Sequence, residues 1–275
     1  MLLLPGGGSD SSVVTNGGIV GSATPGTAVV SGGSANTYGS VTELISAASN
    51  DQESYAIEVA ILNTGASATA AESSLDILIG GATDDVLISS LLCGYTYNAA
   101  TTSYWFPIHI PRGLRIAAQL SSARVSVSSR VIVWLYGGVT PPFRVGRKVT
   151  TYGTKINNSR GQSITPTASG GAASATQLTA STSENHFCFL PGFQPATDTT
   201  ITPAGWLSVG IGVGASTEQR IGSWWFGKDT TENVVGPIPS RPVFVDVPSG
   251  SRLTMLASNS GANDAAYDGL IYAVS

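Results

Sequence analysis

Charge is scarce in this chain. Asp, Glu, Lys and Arg make up 11% of its 275 residues, so hydroxyls and methyls must cover much of its surface. Such surfaces suit a protein that packs against identical neighbours or works outside a cell. The 13 Lys and Arg are outnumbered by 17 Asp and Glu, for a net charge of -4. That balance offers little to neutralise phosphates, so nucleic acid is not an expected partner. Only two histidines and two cysteines are present. Cys93 and Cys188 lie far apart, without the clustering that a zinc site needs, and read as buried free thiols. No metal and no cofactor is implied. The chain has no run of about eighteen apolar residues, so no membrane span is expected. Its start, MLLLPGGG, lacks the basic region and long apolar stretch of a signal peptide. Helix-favouring Lys, Glu, Leu and Arg are also short, while Gly, Ser, Thr, Ala and Val dominate, a strand-and-turn composition.

What is present is a pattern written twice. Phe106 to Gly137 reads FPIHIPRGLRIAAQLSSARVSVSSRVIVWLYG, and Val243 to Val274 reads VFVDVPSGSRLTMLASNSGANDAAYDGLIYAV. Phe106, Ile108 and Ile110 alternate with Pro107, His109 and Pro111, as Val243, Val245 and Val247 do with Phe244, Asp246 and Pro248. A period of two means a strand with one buried face. Pro111-Arg112-Gly113 and Pro248-Ser249-Gly250 then mark turns, because Pro fixes φ and Gly tolerates positive φ. A second alternating strand follows, and after a Ser-rich loop each copy closes on an apolar strand, Val131 to Tyr136 or Leu270 to Val274. Upstream, Thr42-Glu43-Leu44 matches Thr176-Gln177-Leu178, and Leu75 to Gly80 matches Leu207 to Gly212. The copies are offset by roughly 130 to 140 residues, the size of a small β-domain.

The pattern predicts an all-β protein of two tandem jelly-roll-like β-sandwich domains, residues 37-140 and 172-275. Strands are expected over Tyr55 to Leu62, Leu75 to Ile79 and Val86 to Leu92. Residues 1-36, rich in Gly with valine pairs between, read as an extended N-terminal arm. It would be either a flexible tail or a segment that pairs with a neighbouring subunit's sheet edge. Residues 141-171 read as a linker, with the one basic stretch of the chain, Arg144, Arg147, Lys148, Lys155 and Arg160. Acidic neighbours or solvation account for it better than a polyanion site.

No catalytic constellation emerges. G-x-S-x-G is absent. Asp84-Asp85 would point to opposite faces of a strand. Gly210 to Gly214 (GIGVG) is superficially like a nucleotide loop but lacks a following helix pattern. Trp224-Trp225-Phe226 stands where the first copy has Leu91-Leu92-Cys93 and reads as core. Arg115 and Arg252 recur at matched positions and read as structural contacts to a neighbouring strand or loop, with ligand binding as the weaker reading. Tyr95, Tyr97 and Trp105 are candidate ligand-facing rings.

The runs IPRGLRIAAQLSS with VIVWLYG, and VPSGSRLTMLAS with GLIYAV, resemble a strand-turn-strand pattern of virion and virion-associated proteins of tailed bacteriophages. The resemblance covers the last third of each copy, and Ala273 stands where the pattern has glycine. It implies a non-enzymatic particle component, assembled in the host cytoplasm. Its expected partners are other virion proteins, with self-association to a trimer. The leading expectation is a capsid decoration or cement protein. The alternatives are a tail or fibre protein binding cell-surface glycans and a double jelly-roll capsid subunit. A glycan-processing enzyme would need paired carboxylates across a cleft, and carboxylates are scarce.

Overall fold

The computed structural model describes residues 12-17, 25-63, 72-81, 83-93, 101-137, 141-155, 161-196, 205-214, 217-229, 234-235, 241-261 and 266-275. Among them there is no helix. The chain forms two sandwiches of the same strand order. In the first module, β1 (Ser12–Gly17), β2 (Thr27–Val30), β4 (Ser54–Asn63), β7 (Thr101–Phe106) and β9 (Ser128–Gly137) make one sheet. Its order is β1-β9-β4-β7, and β2 extends the β1 edge along β9. The facing sheet runs β3-β8-β5-β6, from β3 (Thr42–Ile45), β5 (Ser73–Gly80), β6 (Asp84–Leu92) and β8 (Arg115–Ser122).

The second module repeats this. Its first sheet is ordered β10-β19-β13-β17, with β11 also on β19. These strands are β10 (Val149–Tyr152), β11 (Gln162–Ile164), β13 (His186–Pro195), β17 (Val243–Val247) and β19 (Tyr267–Val274). Its second sheet is β12-β18-β14-β15-β16, from β12 (Ser174–Thr179), β14 (Gly205–Val213), β15 (Gln219–Asp229), β16 (Val234–Val235) and β18 (Leu253–Asn259). All pairings of these strands are antiparallel. Eight strand positions wound this way make a jelly roll.

The segments read as arm and linker do the same job in each copy. Ser12 to Gly17 and Thr27 to Val30 pair with β9, just as Val149 to Tyr152 and Gln162 to Ile164 pair with β19. The sheets therefore divide between Gly137 and Val149, not at residues 36 and 171. The short valine pairs between glycines become strands because an edge of β9 more than 100 residues away supplies their partner.

Alternation decides what is inside. On β4, Ile57, Val59 and Ile61 are fully buried, facing Leu75 and Ile77 of β5 and Ile116, Ala118 and Leu120 of β8 in one core. In the second module, Phe189, Phe193 and Ile271 face Leu207, Val209, Ile211, Trp224, Phe226 and Met255. Each fully buried Leu, Ile or Phe contributes about 1.5–3 kcal/mol.

The repeated Pro-x-Gly turn is clamped from below. Gly113 and Gly250 take φ of 76° and 81°. Asn50 Nδ2 donates to the carbonyls of Pro111 (3.0 Å) and Leu114 (2.9 Å). In the second copy Thr182 Oγ1 donates to Pro248 O (3.0 Å) and accepts from Ser251 N (3.1 Å). An added Cβ at either glycine meets open space, so a substitution costs backbone strain alone. Gly250→Ala should lower stability by about 1 kcal/mol in urea denaturation, and Gly250→Asn by less, because Asn visits the left-handed region more readily. Equal losses for Ala and Asn would refute that account.

Candidate functional site

The chemistry-bearing groups are mostly spent on holding strands together. Arg115, opening β8, reaches across Gly80 of β5 to Asp84 of β6. Gly80 pairs with both residues, and Arg115 Nε donates to Asp84 Oδ1 at 3.3 Å within the ion pair. Arg252 meets Glu218 across Gly214 in the same manner (Nη1 to Oε1 3.2 Å). Each arginine thus closes the mouth of a hairpin, between β5 and β6 or β14 and β15. The hairpin itself carries a sequence signal that the repeat reading missed, Gly80-x-x-Thr83-Asp84 against Gly214-x-x-Thr217-Glu218. Gly80 is the counterpart of Gly214, not of Gly212.

Trp105 is only 6% exposed, because Phe143 of the segment between the modules covers it edge-on (ring centroids 5.2 Å). It is therefore not an open ligand platform. Tyr95 and Tyr97 lie outside the described residues. In the basic stretch, Arg144 pairs with Asp246 (2.6 Å) and lies over the Phe187 ring, while Lys148 pairs with Glu184 (2.7 Å). His109 meets Glu53 (Nε2 to Oε2 2.7 Å) and stacks on Tyr55. The His186 imidazole is 2.8 Å from the Tyr152 hydroxyl, and its burial holds its pKa below the ordinary value. Cys93 and Cys188 are buried thiols that form no disulfide, and burial pushes the Cys188 thiol well up. Among the described residues no three His, Cys, Asp or Glu converge as a metal site would require.

The most developed polar arrangement is the seam between the modules. Strands β19 and β13 are buried on both faces. Ile271, Ala273 and Phe189 point into the second core, while Leu270, Tyr272, Val274, Cys188 and Leu190 join the first module's core. Tyr272 enters the gap between the edge strands β6 and β7. Its ring meets Tyr104 (5.3 Å) and Phe106 (5.9 Å) edge-on. Its hydroxyl donates to Ser90 O (2.9 Å) and accepts from Leu92 N (2.9 Å), so one phenol satisfies two open backbone groups of an edge strand. Tyr104 donates to Leu92 O (2.7 Å). Burial drives both phenols far above their ordinary pKa, so both stay neutral. Beside them Thr151 Oγ1 of β10 donates to Ser89 O (2.9 Å). Tyr272 can lie flat here because Gly192 is beneath it, where a Cβ would stand 2.6 Å from its oxygen.

Those backbone groups are presented by a bulge. Leu75 pairs with Leu91 and Ile77 with Ile88, so Ser89 and Ser90 together oppose Asp76. Ser90 has φ of 57°, and its N–H donates to the buried Asp76 Oδ1 (2.8 Å), while Gln119 Nε2 donates to Oδ2 (3.1 Å). The second copy has Gly210 in the place of Asp76.

The outer rim of the second module is different. Trp224 and Phe226 are buried as expected of core, but Trp225 between them points outward and is 63% exposed, tilted against Trp206 (5.0 Å). Strand alternation forbids all three rings from sharing one face. Phe244 of the neighbouring edge strand β17 is 47% exposed.

No family model matches this chain, and no curated protein does. Among solved structures, the tandem CBM22 domains of Xyn10C from Paenibacillus barcinonensis are 9% identical (TM-score 0.29), with 96% of this chain and 95% of that one covered. PNGase F, a glycosylasparaginase from Flavobacterium meningosepticum, is 12% identical (TM-score 0.37), covering 95% of this chain and 96% of that one. A T13 viral particle of IBDV is 10% identical (TM-score 0.26), covering 94% of this chain and 68% of that one. At these values the likenesses carry no conclusion about what this chain does.

Proposed function

We propose that the protein is a non-enzymatic structural subunit whose two jelly rolls build a virion shell directly. One observation carries the reading: two sandwiches of the same strand order are joined by a buried seam, so that one chain supplies two equivalent building blocks in a fixed relation. A shell built of repeated modules needs such blocks, with interfaces of on the order of 1,000 Å² or more between chains. The phage assignment rests on the sequence resemblance of the Pro-x-Gly-x-Arg strands and their closing strands.

Decoration of a shell made by another protein is the weaker reading. It relied on an N-terminal arm free to pair with a neighbour, and β1 and β2 are instead paired with the chain's own β9. Glycan adhesion also weakens, since Trp105 is covered.

The test is assembly and copy number. The chain expressed alone should form regular closed particles visible by electron microscopy. In purified virions it should outnumber every other protein by quantitative mass spectrometry. Failure to assemble alone, together with copy numbers below those of a separate shell protein, would return the reading to decoration or tail. Absence from virions would overturn it entirely.

A further inference from the structure

The seam within the chain buries a rim on the first module and a face on the second. The rim is formed where the edge strands β6 and β7 leave the sandwich open. Leu92, Phe106, Pro107 and Ile108 line it, and all are buried. The strand pairing identifies the same positions in the second module. Leu91 pairs with Leu75 as Trp224 pairs with Val209, which sets Leu92 against Trp225. Ile110 meets Ser54 as Val247 meets His186, which sets Phe106, Pro107 and Ile108 against Val243, Phe244 and Val245. Here the outcome reverses. Trp225 and Phe244 are exposed, and Val243 and Val245 are only partly buried. An apolar rim that one module covers completely is thus left open on the other.

The face behaves in the opposite way. On β19 the outward Leu270, Tyr272 and Val274 are fully buried beneath the first module's rim. Ile57 pairs with Phe106 as Phe189 pairs with Val243, so on β9 the counterparts of Tyr272 and Val274 are Trp134 and Tyr136, and both are half-exposed. Tyr136 pairs with Ala56 as Val274 pairs with Cys188, and its hydroxyl donates to Glu58 (2.6 Å). A single chain therefore has one used rim and face and one unused rim and face of matching kind.

We propose that the open rim of the second module, centred on Trp225 and Phe244, docks on the outer β9 face around Trp134 and Tyr136 of a second copy of this chain. That contact repeats between chains what Tyr272 and the β6–β7 rim do within one. It is heterologous, head to tail, so it propagates until it closes into a ring, and three chains give a ring of six modules. Trp225 has the profile of a binding hot spot, a large exposed ring set against Trp206. The contact stands apart from the shell reading, since a ring forms whether or not rings assemble into particles.

The test uses the full chain in sedimentation velocity over a dilution series. The wild type should form a closed oligomer, a trimer. Trp225→Arg replaces an exposed ring, so its melting curve should match the wild type while each contact weakens roughly 30-fold or more. Tyr136→Arg, placed beside Glu58, alters the receiving face alone. Each variant by itself should be monomeric. Mixed, they retain one good rim and one good face, so they should form a one-to-one dimer that grows no further. A wild type that stays monomeric at every concentration overturns the proposal and leaves the exposed rings to another partner, such as a glycan. So does an oligomer that survives Trp225→Arg, or a mixture that yields no dimer. A ring without particles would leave this contact standing while the shell reading fails.

Discussion

Tyr272→Ala should cost about 4 kcal/mol of stability and separate the unfolding of the two modules. The ring is fully buried among Tyr104, Phe106 and the edge of β6, although it belongs to the last strand of the other module. Its removal leaves a cavity at the seam and strips Ser90 O and Leu92 N of their shared partner. Tyr272→Phe isolates the second effect. The ring stays, the hydroxyl goes, and a buried donor and acceptor are left unmet, for a loss of about 2 kcal/mol. Tyr136→Phe is the matched control. Its hydroxyl meets only Glu58 on a half-open face, where water replaces it, so the loss should be well under that of Tyr272→Phe. Calorimetry reads the coupling. The wild type should melt in one transition, and Tyr272→Ala in two, the first module ahead of the second. A single transition in the Ala variant, shifted by less than the Tyr136→Phe control, would show that the modules do not depend on this side chain.

Most of this fold could be read from period-two alternation, because each strand has one dry face. The expected strand Tyr55 to Leu62 is β4, Leu75 to Ile79 lies within β5, and Val86 to Leu92 lies within β6. The Pro-x-Gly turns were legible for a local reason, since φ demands are met by the residues themselves. What was hidden depended on distant partners. The valine pairs before residue 36 carry no mark of the β9 edge that makes them strands. Asn50 and Thr182 do one task with different side chains, so the repeat gives no hint of it. Tyr272 looks like any ring in an apolar closing strand until the opposite module is set against it. Two signals were there to be used. Period two applied to Trp224-Trp225-Phe226 turns the middle ring outward, and an aspartate amid Leu75-Asp76-Ile77-Leu78 requires a buried partner.

That aspartate yields the second large effect. Asp76→Ala should cost about 3 kcal/mol, more than an average buried substitution, because the carboxylate serves two donors at once. Ser90 is held at positive φ, a strain of about 1–3 kcal/mol for a residue other than glycine. The charge-assisted bond from its N–H to Asp76 offsets that strain and fixes the bulge. The bulge in turn aims Ser89 O at Thr151 and Ser90 O at Tyr272, so a side chain on β5 sets the docking of a strand nearly 200 residues later. Without Asp76 the Ser90 N–H and the Gln119 amide are orphaned, and β6 is free to slip toward a regular pairing that no longer presents those carbonyls. Asp76→Asn keeps an acceptor for Ser90 but sets an amide N–H against that of Gln119, so an intermediate loss of about 1–2 kcal/mol is expected, less if Gln119 turns over. Ser90→Gly should act in the opposite direction, since glycine takes the left-handed conformation without strain, and should be neutral or slightly stabilising. Urea denaturation of the three variants separates strain from bonding. If Ser90→Gly destabilises as much as Asp76→Ala, the Ser90 side chain rather than its backbone is what Asp76 supports, and the bulge has another cause.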